Sequence, residues 1–445
     1  MVYLDESYLS FCRSSIIAIL ENLIIPMEFI LEQAKLIYPG HPLNGKRLNI
    51  KITDGIISSL DAKMSSKQQI IKGNDLHVSI GWFDIGTSIG EPGYEHRETA
   101  ETLTRSALAG GYTGVAVFPN TKPCLHSKAE IEFIAQKSKV SGIDIYPIGA
   151  ITKNCKGQEL AEMIDMHHSG AIAFSDGIHP VQDNGVMLRA MRYVNHFKGL
   201  IINSLEDQAL ATLGQMHEGT VSQQLGLKGI PAIAENLMLQ RDLYLSQYAS
   251  SGYLAHLISS EEGIKQLKAR NKNKSIVYSS VSYLHLLFDD SRLSEFDSNF
   301  KQSPPLRSSQ DRKALVKAVK EEVIGIICSN HRPLEIEKKD LEFAYADAGT
   351  IGLQTIFPSL STARELTMSE WVTAAAINPR KVLKLSMPEI GEGKAANITF
   401  FDPTIEWKYQ KQDVLSLSKN SLFLDHTFRG KVLGTVHKGR VNLNK

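Results

Sequence analysis

Short apolar runs, separated by longer stretches with helical periodicity, fill the middle of the chain. The runs are Val78–Phe83, Gly114–Phe118, Ile143–Ile148, Ala171–Phe174, Gly199–Ile202, Tyr253–Leu257, Ser275–Val281 and Val323–Ile327. Bounded runs of this kind fit strands buried on both faces, as in a parallel sheet. After the first run, Ala100, Leu103, Ala107 and Leu108 fall at i, i+3, i+7 and i+8, one helical face, and Gly110-Gly111 follows as a stop. Eight strand–helix units predict a (β/α)₈ TIM barrel over residues 78–394. An open doubly wound sheet is the competing arrangement. Its Gly-x-Gly-x-x-Gly turn is missing after the first run.

The two ends read differently. Arg47–Ile52 alternates polar and apolar residues before an Asp54-Gly55 turn, and Asn397–Phe401 and Gly430–Val436 repeat that style before Lys438-Gly439. Residues 27–77 and 395–445 are therefore expected to form one small composite β domain, since chain termini often lie close together. Residues 1–26 are expected to be a helical extension. Ser15–Ile25 is apolar but carries Glu21 and Asn22, and Asp5 and Glu6 stand where a signal peptide has basic residues.

Composition narrows the function classes. Lys and Arg number 49 against 48 Asp and Glu, so the basic stripe of a nucleic-acid binder is not expected. No apolar run approaches the roughly 18 residues of a membrane span. Cys12, Cys124, Cys155 and Cys328 form no C-x-x-C pair and are expected to be free thiols of a cytoplasmic protein, with neither a disulfide nor a zinc role.

Barrel chemistry sits at the C-terminal ends of the strands, so the residues after each run carry the functional question. Asp84-Ile85-Gly86-Thr87-Ser88-Ile89-Gly90-Glu91-Pro92-Gly93 resembles the dihydroorotase signature D-x-H-x-H-x-R-E-P-G with its His and Arg positions replaced. Phe118-Pro119-Asn120-Thr121 resembles the family's M-P-N-T, and Ala173-Phe174-Ser175-Asp176 the start of F-S-D-D-G. Leu205-Glu206-Asp207 resembles the end of H-x-E-D, Ser303-Pro304-Pro305-Leu306-Arg307 resembles N-P-P-L-R, and Ser329-Asn330-His331-Arg332-Pro333 resembles T-D-H-A-P. Six fragments in family order, over residues 27–445, identify a divergent relative of dihydroorotase in the amidohydrolase superfamily.

The resemblance implies a zinc site in active relatives, held by a first-strand His pair, one His each after the fifth and sixth strands, and an Asp after the eighth. Here those positions carry Gly86, Ser88, Ser204, His256 and Asn330, and Asp176 stands near the bridging carboxylate. A catalytic zinc normally needs three protein ligands with available lone pairs, so no bound cofactor is expected. Zinc can bring the pKa of water from 15.7 to about 7. Losing that shift costs at most about 12 kcal/mol of nucleophile activation. Asn330 occupies the family's catalytic Asp position and cannot shuttle a proton near neutral pH. The family's substrate-binding Arg is replaced by Gly90, which leaves Asn120 and Arg307 as the expected substrate contacts.

Asp84 is expected to anchor the first-strand loop, His256 and His285 to be hydrogen-bonded core residues, and His167-His168 to lie on a helix surface. For His331, which follows Asn330 and could be exposed at the rim, a structural or solvent role and ligand binding stay open. The family reading is therefore an inactive protein acting as a structural or regulatory partner. By family analogy its partner would be aspartate transcarbamoylase, and the chain itself would form a homodimer. An active cyclic-amide hydrolase with a rebuilt metal site and a small-molecule binder using the old pocket are the alternatives.

Overall fold

The structure, a computed structural model, describes residues 28–64, 69–271 and 276–444. The expected helix over residues 1–26 lies outside the described residues.

Eight parallel strands run in the order of the chain: Trp82–Thr87, Tyr112–Val117, Asp144–Gly149, Ala173–Phe174, Leu200–Ser204, Gly252–His256, Val277–Ser282 and Ile326–Cys328. These are barrel strands one to eight. Their residues are almost all buried, which explains why they read as unbroken apolar runs. One face fills the barrel with Phe83, Ile85, Ala116, Ile148, Ile202, Leu254 and Ile326. The other face, including Val115, Ile145, Ile201, Tyr253 and Ile327, packs against the surrounding helices and joins the main core. The helix predicted after the first strand spans Ala100–Ala109, buries Ala100, Leu103 and Ala107, and is capped by Thr99.

The barrel is nearly closed, and side chains complete the seam. Asp84 on strand one accepts hydrogen bonds from Ser329 N at 2.8 Å and Ser329 Oγ at 2.6 Å, just past strand eight. Ser88 N donates to His331 O at 3.1 Å. This is the anchoring role expected of Asp84, which is fully buried. Burial pushes its carboxyl above the usual range, while the hydrogen bonds from Ser329 and Thr87 oppose that shift.

A second sheet gathers strands from both chain ends. Its order is Arg440–Leu443, Thr427–His437, Ile398–Lys408, His77–Ile80, Glu28–Leu36, Arg47–Thr53 and Ile56–Ser59, with Gln69–Ile71 also paired to Glu28–Leu36. One expected boundary moves here. Val78–Ile80, read from the sequence as the start of the first barrel strand, pairs with Ile398–Phe400 instead. Gly81 separates that strand from Trp82, and a side chain there would collide with Thr113 and Asn397. Both strands are buried on both faces, so hydrophobicity alone could not divide them. Trp82 joins the two sheets, packing against Tyr112, Phe357, Trp371 and Phe401 at ring centroid distances of 5.0–6.0 Å.

Candidate functional site at the barrel mouth

Gly86, Ser88, Ser204, His256 and Asn330 all line one cavity at the C-terminal end of the barrel. The sequence alignment of these five positions thus converges in space. Asp176 is not among the lining residues. Both its oxygens face the neighbouring loop, accepting from Ile151 N and Thr152 N at 2.9 Å and from the Thr152 hydroxyl. Burial pushes the Asp176 carboxyl up to about 6 against those hydrogen bonds. It ties the third-strand loop to the fourth.

The space beside Gly86 is crowded. Gly86 has φ +86°, and a Cβ there would sit 2.8 Å from both His256 Nε2 and Phe118 Cε2. Phe118 stands where the family pattern has Met, and its ring meets the His256 ring edge-on at 5.1 Å. The Arg position is closed as well: Gly90 has φ +77°, and its Cβ would lie 2.4 Å from Glu98 O. The remaining cavity measures about 40 Å³. At roughly 10–15 Å³ per water on that measure, the enclosed part holds a few waters.

The other candidates have their polar atoms engaged elsewhere. Asn120 spends its amide on backbone, donating to Asp176 O and accepting from Ile178 N, both at 3.0 Å. Arg307, expected as a substrate contact, is buried behind the mouth. Its Nε donates to Ser259 Oγ at 2.8 Å, and its Nη2 lies 3.5 Å from Glu235 Oε2. Glu235 is fully buried and also accepts from Ser260 N at 3.0 Å and Ser260 Oγ at 2.7 Å. The sequence reading missed Glu235, because nothing in the local pattern links it to an arginine so far along the chain. Ser204 donates to Gly177 O at 2.7 Å, and Asn330 donates to Ser303 O at 3.3 Å.

The histidines divide clearly. His331 is buried rather than exposed at the rim. Its Nδ1 accepts from Gly352 N at 3.1 Å, so the neutral ring carries its proton on Nε2, 3.3 Å from Glu98 Oε2. Burial pushes the Glu98 carboxyl up, but hydrogen bonds from His331, Ser416 and Thr102 outweigh it and hold the group below its usual range. His167 and His168 are exposed on helix Met163–His168. His256 Nδ1 lies 3.0 Å from Ser280 Oγ, and His285 Nε2 donates to Pro305 O at 3.1 Å. Burial lowers His256 to about 3 and His285 to about 4.

Those two depressed values give a pH prediction. Between the ordinary histidine value of 6.5 and the folded values, the unfolded chain binds more protons than the folded one. Stability is therefore full above about pH 6.5 and falls as pH drops, by about 1.4 kcal/mol per unit for each ring. Urea unfolding at pH 7 and pH 5 should show this loss, and His285→Gln should flatten the slope by about one ring's share.

Zinc does not fit this donor set. Among the described residues, no cluster of three or more His, Cys, Asp or Glu is placed to hold a metal ion. Of the groups lining the mouth, His256 offers one imidazole and Glu206 one carboxylate, beside a His331 ring already bonded to Glu98, two hydroxyls, an amide and a glycine.

A nearly closed eight-stranded barrel carrying a β sheet from both chain ends, with its mouth at the strand C-termini, has the architecture of an amidohydrolase. The amidohydrolase family model matches residues 201–441, and the Dihydro-orotase-like model matches residues 77–263. Among curated relatives, a dihydroorotase of Geobacter metallireducens is 34% identical over 93% of this chain and 99% of its own. A dihydroorotase of Ruminiclostridium cellulolyticum is 36% identical over 87% of this chain and 93% of its own. The chain belongs to the dihydroorotase family. Solved structures with the same fold include an L-hydantoinase (dihydropyrimidinase) from Arthrobacter aurescens, with TM-score 0.81 and 19% identity over 94% of this chain and 96% of that one. A D-hydantoinase matches with TM-score 0.79 and 17% identity over 94% and 95%.

Proposed function

We propose that this chain is a dihydroorotase-family protein that no longer catalyses a cyclic-amide reaction and serves as a structural or regulatory partner. The observation that carries the reading is the crowded space at Gly86, where Phe118 Cε2 and His256 Nε2 stand 2.8 Å from an added Cβ. A site that had lost one ligand by drift would leave a hole. Here ring atoms crowd the space beside Gly86, and a Cβ at Gly90 would lie 2.4 Å from Glu98 O, against the family's arginine there.

The family's proton-transfer residue is replaced too. Asn330 is an amide, and His331 beside it is committed to Glu98 and the Gly352 backbone. The amide and the mouth hydroxyls can hold a water but cannot act as the base that activates it, which leaves Glu206, its pKa raised by burial, as the one carboxylate lining the mouth among the described residues.

Turnover in both directions tests the reading. Purified protein supplied with zinc should neither cyclise carbamoyl-aspartate nor open dihydroorotate above the uncatalysed rate, while an active relative does both. Turnover abolished by His256→Ala would overturn the proposal. The partner by family analogy is aspartate transcarbamoylase, and co-elution of the two proteins from one cell extract is the matching expectation.

A further inference from the structure

The sequence reading treated the cysteines as separate free thiols. Cys124 and Cys155 are free, and they are also neighbours, with their sulfurs 2.7 Å apart. Both are buried, and with Ala150 they form a small apolar cluster of their own. Thiols that merely pack stay about a van der Waals distance apart, whereas a disulfide bond is about 2.05 Å long. This pair lies between those limits.

The backbone fixes the approach. Cys124 follows barrel strand two, in a loop where Leu125 N donates to Pro119 O at 3.1 Å. Cys155 ends a short turn after strand three, Lys153–Cys155, in which Asn154 and Cys155 both take left-handed φ values of 56° and 53°. Two successive non-glycine residues in that region are costly and persist only when their surroundings hold them. Here Thr152 Oγ1 accepts from Gly157 N at 2.8 Å, and Lys153 N donates to Glu159 O at 2.8 Å. Ala150 N donates to Leu125 O at 2.8 Å and joins the two loops directly. The turn holds Cys155 against Cys124.

We propose that Cys124 and Cys155 are a modification site, a dithiol that an oxidised low-molecular-weight thiol of the glutathione class converts to an intramolecular disulfide. One cysteine thiolate attacks the small disulfide, forming a mixed disulfide and expelling one small thiolate. The second cysteine thiolate attacks the protein-bound sulfur, closing the Cys124–Cys155 bond and expelling the other. Two electrons pass from the protein sulfurs to the small disulfide, and the two cysteine protons end on the two released thiols. Exposed Lys156, with Lys153 paired to Glu159 at 3.0 Å on the other side, flanks Cys155 and suits an anionic oxidant. The hydrogen bond with Cys124, together with burial, raises the Cys155 thiol far above its usual range, so exchange is slow at neutral pH and speeds up as pH rises.

The bond would fasten the loop carrying Asn120 to the loop carrying Thr152. Both already hold Asp176 and its backbone. Three adjacent rim loops would then be tied together at the edge of the mouth.

The test is to incubate the full chain with oxidised glutathione, denature it in an alkylating agent, and map its peptides without reduction. The expected result is an intact mass lower by two hydrogens and a cross-linked peptide pair containing Cys124 and Cys155. Melting should rise by about 3 °C over the reduced protein. Cys124→Ser and Cys155→Ala should each abolish both changes. Both cysteines recovered fully alkylated, or a glutathione adduct that never resolves, would overturn the proposal from the wild-type map alone.

Discussion

Gly86→Ala should destabilise the protein by about 3 kcal/mol, measured as a lower urea midpoint at unchanged slope. Two effects add. A non-glycine residue at φ +86° costs about 1 kcal/mol or more in backbone strain. Forcing a carbon into a space where His256 Nε2 and Phe118 Cε2 are both 2.8 Å away adds about 1–3 kcal/mol of overpacking. A double-mutant cycle identifies the cause: Phe118→Ala enlarges the space and should return part of the loss, about 1 kcal/mol, when combined with Gly86→Ala. A neutral Gly86→Ala would mean that the first-strand ligand space is still open. The same crowding explains why restoring the family's histidine at this position alone should not restore a metal site.

Arg307→Met should cost about 3–5 kcal/mol in the same assay, because it strands Glu235 in a fully buried position. The pair joins the sixth-strand loop at Ser259-Ser260 to the helix Ala232–Ala249 and to the Pro304-Pro305-Leu306-Arg307 loop. Adding Glu235→Gln to Arg307→Met should recover much of the loss, since the buried charge then disappears. An arginine kept for gripping an anion at the rim would behave in the opposite way, with stability unchanged and only ligand binding altered.

The sequence announced the barrel through runs buried on both faces, and those runs recur as strands one to eight. It could not separate Val78–Ile80 from Trp82–Thr87, because both are equally apolar and the break between them is a single glycine. Five of the aligned site positions meet at one mouth, since motif order fixes which strand end each occupies. Side-chain direction was not legible. Asp176 turns toward Thr152 and Arg307 toward Glu235, and both choices depend on contacts between residues distant in sequence. The paired sulfurs of Cys124 and Cys155 were hidden for the same reason: cysteine spacing says little once two loops from adjacent strands fold together. Phe118 did carry a readable signal, a large ring where the family pattern has Met, yet only the structure shows that it crowds Gly86 and packs edge-on against His256.

Zinc stoichiometry tests the central claim most directly. Protein expressed in zinc-supplemented cells, freed of loosely held ions and analysed for metal, should carry far less than one zinc per chain. A full equivalent of zinc that survives this treatment and disappears in His256→Ala would contradict the account.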